Sequence, residues 1–264
     1  MDYINILYAA AALGGLALLF GVGLGFAAIK FAVEVDPLVP VVRELLPGAN
    51  CGGCGFAGCD AFANALVSGA ARPNGCPVNN SDNASKIAIA LGQVAVVGEK
   101  TSAFVKCNGT CDLASEKYEY YGIKDCQAAT YLQGTGSKGC EYGCLGLGSC
   151  FNVCMFDAIT IENGIAIIDE DKCVSCGLCV NACPKNIIEI VKVSGHTRVK
   201  CNSKDKGKEV KANCSVGCIG CGICVKQCES DAIHVNDSLA KIDYDKCINC
   251  GKCVAKCPTK AIIS

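Results

Sequence analysis

The chain has 264 residues, a formal net charge of −1 at pH 7 and 51% hydrophobic residues. Its 25 cysteines amount to almost one residue in ten, a density known from small disulfide-rich secreted proteins. The chain is too long for that class, its cysteine count is odd, and the cysteines occur in closely spaced runs typical of metal centres. The small net charge argues against nucleic acid as a partner, and the high apolar content argues against disorder.

Residues 1–33 are predicted to form a transmembrane anchor. No charged residue lies between Tyr3 and Ile29, a stretch longer than the roughly 20 apolar residues that cross a hydrocarbon core. Because Asp2 precedes the stretch and Lys30 follows it, the positive-inside rule predicts a single pass through the cytoplasmic (inner) membrane, with the N-terminus outside and the remaining domains in the cytoplasm. A cleaved signal peptide is the alternative, but the acidic start and the long apolar run disfavour it. Cytoplasmic thiols stay reduced, which favours metal binding over disulfides.

Two stretches match the bacterial ferredoxin pattern CxxCxxCxxxCP. They contain Cys173, Cys176, Cys179 and Cys183, and Cys247, Cys250, Cys253 and Cys257. In this pattern three cysteines bind one [4Fe-4S] cluster and the fourth reaches a second cluster. Zinc sites more often use two separated cysteine pairs, so the pattern favours iron–sulfur clusters over zinc.

Each run has an upstream companion, and the two halves form an internal repeat. Cys140 recurs as Cys214, 74 positions later, and the residues that follow Cys154 are similar to those that follow Cys228. Short β-branched runs alternate with the cysteine-bearing loops. The repeat predicts an α+β fold with two tandem bicluster ferredoxin-like modules, at 140–192 and 193–264, each built from two short βαβ halves.

Crossed ligation predicts four clusters in these modules. The predicted ligand sets are Cys218, Cys221, Cys224 and Cys257; Cys228, Cys247, Cys250 and Cys253; Cys154, Cys173, Cys176 and Cys179; and Cys140, Cys144, Cys150 and Cys183. The last set is irregular, because Leu147 stands where the second repeat has Cys221. Cys140 is predicted to substitute, and a three-iron cluster without Cys140 is the alternative.

A further [4Fe-4S] cluster is predicted in a small N-terminal domain at 34–92, within the glycine-rich sequence CGGCGFAGC. Its predicted ligands are Cys51, Cys54, Cys59 and Cys76. The glycines allow the backbone to turn tightly around a cluster and to direct N–H groups at its sulfurs. A zinc site is the alternative here.

Five cysteines remain, several of them in or near a connecting segment at 93–139. They are Cys107, Cys111, Cys126, Cys201 and Cys214. Four of them could bind a sixth cluster, with Cys107, Cys111 and Cys126 joined by Cys201 or Cys214. Ordinary buried thiols are the alternative, so the sequence leaves five or six clusters open.

The ordered combination of an apolar N-terminal helix with CGGCGFAGC, CEYGCLGLGSC and CSVGCIGCGIC resembles the B subunit of the Rnf complex, in its longer, anaerobe-type form. That complex is a membrane-bound ferredoxin:NAD oxidoreductase that translocates Na⁺ or H⁺. The resemblance covers nearly the whole chain. It implies an electron carrier that accepts electrons from reduced soluble ferredoxin and passes them to the flavin- and NAD-bearing C subunit. It also implies the other membrane subunits and the lipid bilayer as partners.

The sequence contains no flavin or NAD motif and no arrangement of residues suited to bond-making catalysis. The predicted role is therefore that of a component of an enzyme complex, in which the clusters carry the electrons. The alternatives are a polyferredoxin subunit of a membrane hydrogenase or formate dehydrogenase, a reducing system for a redox sensor and, from a different class, a zinc-scaffold adaptor. A lysine-rich loop at 200–211 either docks an acidic ferredoxin or is simply a solvated loop.

Overall fold

The computed structural model describes residues 3–31, 36–94, 99–132, 134–195 and 197–264. Its first element is the 28-residue helix α1 (Tyr3–Lys30), whose described large apolar side chains are exposed. The segment Ala10–Lys30 has a mean hydropathy of 2.1, and none of it is buried against the described part of the chain. Helix α1 is thus long and apolar enough to cross a membrane, a criterion that a signal sequence also meets.

Three short helices form the N-terminal domain: α2 (Leu38–Glu44), α3 (Cys59–Val67) and α4 (Ser81–Ala90). They pack around a small apolar core that includes Val42, Phe62, Leu66 and Ile87. The Asn80 side chain caps α4 by accepting a hydrogen bond from a backbone N–H of its first turn. The core fixes one face of α3, and Cys59 lies at the start of that helix.

The first ferredoxin-like module contains four strands and three short helices. In chain order they are β1 (Thr101–Val105), α5 (Cys126–Thr130), α6 (Ser149–Asn152), β2 (Ile159–Glu162), β3 (Ile165–Ile168), α7 (Leu178–Ala182) and β4 (Ile188–Lys192). Strand β1 pairs with β4, and β2 pairs with β3. Since β1 and α5 come from the predicted connecting segment, that segment forms part of the module.

The second module repeats this arrangement. Its elements are β5 (Arg198–Val199), α8 (Gly207–Asn213), α9 (Ile223–Lys226), β6 (Ile233–Asn236), β7 (Leu239–Ile242), α10 (Lys252–Lys256) and β8 (Ile262–Ile263). Strand β5 pairs with β8, and β6 pairs with β7. Each module therefore has one pair formed by its outermost strands and one central hairpin.

The expected βαβ halves are wrong, because every described strand pair is antiparallel. Two residues with positive φ, Asn163 (44°) and Gly164 (74°), connect β2 to β3. A two-residue turn of this kind joins antiparallel strands, whereas parallel strands need a long crossover. Asp237 and Ser238 form the equivalent turn in the second module. The Asn-Gly pair is the signal that predicts the first hairpin.

The two modules are held together by backbone and side-chain contacts. The Ser115 N–H donates to the Asn213 carbonyl at 2.9 Å, and the Ser215 N–H donates to the Leu113 carbonyl at 2.9 Å. Arg198 is 5% exposed, forms an ion pair with Glu170 and lies 5.1 Å over the Phe104 ring. These contacts fix the second module against the first.

Candidate metal centres

Twenty-four of the 25 cysteines fall into six sets of four, named here sets A to F. Set A is Cys51, Cys54, Cys59 and Cys76. Set B is Cys154, Cys173, Cys176 and Cys179, and set C is Cys126, Cys144, Cys150 and Cys183. Set D is Cys107, Cys140, Cys201 and Cys214, and set E is Cys218, Cys221, Cys224 and Cys257. Set F is Cys228, Cys247, Cys250 and Cys253.

Sets B, C, D and E each line one cavity with all four of their cysteines. In set A, burial raises the pKa of Cys76, and the neighbouring Cys54 and Cys51 raise it further. In set F, burial raises the pKa of Cys253, with smaller contributions of the same sign from Cys247 and Cys250. Cys228 packs against the same apolar cluster as Cys253.

The turns before four of the short module helices each position one cysteine of a set. Helices α6, α7, α9 and α10 each follow a left-handed glycine, with φ between 71° and 87°. The second residue of each helix is a buried cysteine: Cys150, Cys179, Cys224 and Cys253. Glycine adopts this conformation without the steric cost of a Cβ, so the chain can turn directly into the helix and direct the thiol into the cavity.

Backbone N–H groups point at several of the sulfurs. The Ala103 N–H donates to the Cys173 Sγ at 3.3 Å, and the Ala232 N–H donates to the Cys228 Sγ at 3.2 Å. The Ala240 N–H donates to the Cys218 Sγ at 3.5 Å. Bonds of this type stabilise a thiolate and tune the reduction potential of an iron–sulfur cluster.

The cavities are apolar, and their thiols are correspondingly hard to ionise. Burial raises the pKa of Cys150 and of Cys179 to about 12. Burial likewise raises the pKa of Cys144 and of Cys224 to about 11. A thiolate in such a cavity requires a bound positive group, which is what metal ligation supplies.

The arrangement fits a cluster better than a single ion. Within the described residues, no group of three or more His, Cys, Asp or Glu side chains is arranged to hold a metal ion. Four thiols around a cavity instead fit a group with several metal atoms, each bound at one corner. Zinc would require the same ligands to converge tetrahedrally at about 2.3 Å from one ion.

The structure does not bring Cys140 to the cavity that Cys144, Cys150 and Cys183 line. Cys140 lies in set D, and the fourth cysteine of set C is Cys126. The Asp125 side chain accepts hydrogen bonds from the Ala128 N–H and the Ser149 hydroxyl, both at 2.8 Å, and these bonds lower the pKa of Asp125. The Ser149 Oγ in turn accepts the Cys126 N–H at 2.7 Å, which ties α5 to α6.

The structure also divides the five cysteines that were left over for a possible sixth cluster. Cys107 lies in set D as expected, but with Cys140 and both Cys201 and Cys214. A side chain on Gly109 would begin 3.3 Å from the Cys214 Sγ and 3.8 Å from the Cys107 Sγ. Cys111 is exposed and belongs to none of the six sets.

Set D contains the same two positions from each repeat. Cys107 and Cys201 share the context Val-Lys-Cys-Asn, and Cys140 and Cys214 are repeat equivalents. Cys140 follows Cys107 by 33 positions, whereas Cys214 follows Cys201 by 13. The additional residues of the first repeat contain Cys126, which compensates for Leu147. Both equivalences are visible in the sequence and predict set D once they are combined.

Neighbouring sets adjoin one another in the order A to F. The Gly53 backbone of set A's loop packs against Cys176 of set B. The Cys144 N–H of set C donates to the Cys107 Sγ of set D at 3.3 Å. Burial raises the pKa of Cys201 in set D to about 12, and the Cys218 amide of set E is the largest opposing influence. Sets B and C share one buried core, and sets E and F share another.

The fold and the cysteine sets define a ferredoxin-type iron–sulfur protein with an apolar N-terminal helix. Family models agree: an iron–sulfur cluster family matches residues 46–78, a 4Fe-4S binding domain matches 166–189, and a 4Fe-4S dicluster domain matches 217–261. The matches support 4Fe-4S chemistry for this class.

Comparison with curated proteins gives the family. The chain is 51% identical over 242 residues to the B subunit of the Na(+)-translocating ferredoxin:NAD(+) oxidoreductase complex of Acetobacterium woodii, covering 91% of this chain and 72% of that protein. It is 45% identical over 237 residues to the B subunit of the ion-translocating oxidoreductase complex of Methanosarcina acetivorans, covering 89% of each. It is 46% identical over 230 residues to the B subunit of the proton-translocating ferredoxin:NAD(+) oxidoreductase complex of Clostridium ljungdahlii, covering 86% of this chain and 81% of that protein.

The chain belongs to the family of Rnf complex B subunits. The predicted resemblance is thereby confirmed, as is the prediction that the chain is a component of an oxidoreductase complex. The family favours this role over a place in a hydrogenase or a formate dehydrogenase.

Proposed function

We propose that the chain is the electron-carrying iron–sulfur subunit of an ion-translocating ferredoxin:NAD⁺ oxidoreductase complex. It accepts electrons from reduced soluble ferredoxin and passes them toward the NAD-reducing subunit. The observation that carries this proposal is the contact between successive cysteine sets. The names of the relatives from Acetobacterium woodii and Clostridium ljungdahlii support the donor and acceptor.

Each of the six sets is proposed to bind one [4Fe-4S] cluster. Bound clusters supply reversible one-electron transfer, and the protein supplies ligation, burial and N–H···S hydrogen bonds. The ligands assigned to sets A, B, E and F are those that spacing alone predicts. The assignments of sets C and D rest on the cavities that Cys126 and Cys140 line.

The proposed electron path runs through the sets in the order A, B, C, D, E and F, in either direction. Set D is the link between the two modules, because each module contributes two of its cysteines. Without a cluster in set D, the three centres on one side would be separated from the two on the other. A linear path therefore makes set D essential for passage along the whole chain.

Helix α1 is proposed to anchor the chain in the cytoplasmic membrane, with the cysteine sets on the cytoplasmic side. This placement supports access by a soluble ferredoxin and assembly with the membrane subunits of the complex. The order along the chain supports set A as the set nearest the bilayer, because α2 begins only a few residues after α1 ends.

The proposal is tested on full-length chain purified anaerobically in detergent, mixed with reduced ferredoxin and frozen rapidly for EPR. We expect EPR signals of reduced clusters on the chain to appear as the signal of reduced ferredoxin decays, and to disappear when the NAD-reducing subunit and NAD⁺ are added. Membranes lacking the chain should fail to reduce NAD⁺ with ferredoxin. Unchanged NAD⁺ reduction by those membranes would overturn the proposed role.

A further inference from the structure

Lys138 is a buried cation without a carboxylate partner. It is 4% exposed, and among the described residues no carboxylate lies within ion-pairing distance of its ammonium group. Its Nζ donates to the Gly109 carbonyl at 2.6 Å and to the Gly164 carbonyl at 2.9 Å. Two neutral carbonyls satisfy hydrogen bonds but do not neutralise the charge, and a buried unpaired charge is costly.

The position of Lys138 places this charge between sets C and D. Its side chain lines the cavity of set D. Its Cδ would lie 3.7 Å from a side chain on Gly143, the residue before Cys144 of set C.

Iron–sulfur clusters in both sets would supply the missing negative charge. A [4Fe-4S] cluster with four thiolate ligands has a net negative charge, which increases by one on reduction. A cation in a low-dielectric site therefore stabilises the reduced cluster more than the oxidised one, and so raises its reduction potential. The same charge also offsets the cost of burying two anionic groups near each other.

We propose that Lys138 is a counter-charge shared by the clusters of sets C and D, and that it raises the reduction potentials of both. The proposal rests on the proposed cluster ligation and adds a residue that is not a ligand. Lys138 acts through the electric field of its ammonium charge, which changes the reduction potentials of the clusters. Because it raises both reduction potentials together, it favours electron transfer between the clusters of sets C and D, across the junction between the modules.

The test compares Lys138→Met, which keeps the length of the side chain without its charge, with Lys138→Arg, which keeps the charge. Lys86→Met removes an exposed lysine of α4 and is the matched control. Full-length variants are purified anaerobically, their iron is counted, and their clusters are followed by EPR during a redox titration. The titrations are repeated with Cys140→Ala, which removes the cluster of set D, to assign the affected centres.

We expect Lys138→Met to shift two of the cluster potentials to more negative values, Lys138→Arg to restore them, and Lys86→Met to leave all of them unchanged. If Lys138→Met instead loses the clusters of sets C and D while Lys138→Arg keeps them, the need for the charge is also supported. Unchanged potentials in Lys138→Met, or equal cluster loss in both Lys138 variants, would overturn the proposal. Wild-type chain that contains zinc and no sulfide would instead refute the proposed function itself.

Discussion

A Cβ atom on Gly53 would lie 2.7 Å from the carbonyl oxygen of Cys176, so the N-terminal domain and the first module meet backbone to backbone. Gly53 stands between Cys51 and Cys54 of set A, and Cys176 belongs to set B. The backbone of Cys176 cannot turn aside as a flexible side chain would. Glycine is therefore required at position 53 by close approach, and this approach brings the first two cysteine sets together.

Substituting this glycine should increase the distance between sets A and B. In Gly53→Ala the new methyl group must displace the Cys176 backbone, which moves the N-terminal domain away from the first module. We expect all clusters to be retained and electron transfer between A and B to be slower than in the wild type, because electron tunnelling slows as the distance between two centres increases. Rapid-freeze EPR after mixing with reduced ferredoxin measures the rate.

Gly195→Ala is the matched control. Among the described residues, a side chain on Gly195 would meet the Lys192 carbonyl alone, at 3.8 Å, which is an ordinary contact. Equal rates in both alanine variants would show that the contact between Gly53 and Cys176 does not set the distance between the two clusters.

Double substitutions should distinguish the ligand sets of the structure from those expected by spacing. Cys126 and Cys150 line one cavity, so removing both should cost one cluster, or about four irons per chain. Cys140 and Cys150 line different cavities, so Cys140→Ala with Cys150→Ala should cost two clusters, or about eight irons. A loss of about four irons in the second double variant would restore the assignment made from spacing.

The ion pair between the buried Arg198 and the half-buried Glu170 should stabilise the junction of the modules. Arg198→Met leaves the Glu170 carboxylate without its partner and also removes hydrogen bonds to the Gly195 and Lys192 carbonyls. We expect the free energy of unfolding to fall by about 1 to 3 kcal/mol, mainly because two backbone carbonyls lose their donor. The variant should then lose its visible cluster absorption faster than the wild type in denaturant. Lys100→Met breaks the exposed pair with Asp171 and should cost less than about 1 kcal/mol. Equal rates in the two variants would contradict a stabilising role for Arg198.

Removing residues 1–30 should release the chain from membranes. None of the exposed apolar surface of α1 is buried against the described part of the chain, so its loss should leave the six cysteine sets intact. We expect the truncated chain to be soluble without detergent and to keep about 24 irons. Full-length chain should stay in the membrane fraction at high salt. Two outcomes would argue against a retained anchor. In one, the full-length chain is recovered in the soluble fraction; in the other, cells that express the full-length sequence yield a chain that lacks the first 30 residues.

Local spacing is enough to predict the groupings of sets A, B, E and F. In each of these sets three cysteines lie in one short loop, and the fourth lies at a fixed place in a neighbouring segment. Spacing does not predict the groupings of sets C and D, because their cysteines come from segments far apart in the chain. Cys126 reaches set C through the Asp125–Ser149 hydrogen bond, and Cys140 reaches set D through pairing of the two repeats. The spacing of Cys126 and Cys140 along the chain does not reveal either contact. The first hairpin is predictable from Asn163-Gly164, and the antiparallel pairing follows from that turn.

The most direct test is the content of iron, acid-labile sulfide and zinc per chain, on full-length protein purified anaerobically in detergent. Six clusters predict about 24 irons with equal sulfide and negligible zinc. The iron content should fall to about 20 in Cys201→Ala and stay unchanged in Cys111→Ala. Stoichiometric zinc with little sulfide would contradict the electron-carrier role. About 20 irons in the wild type, unaffected by Cys201→Ala, would contradict the cluster that joins the two modules.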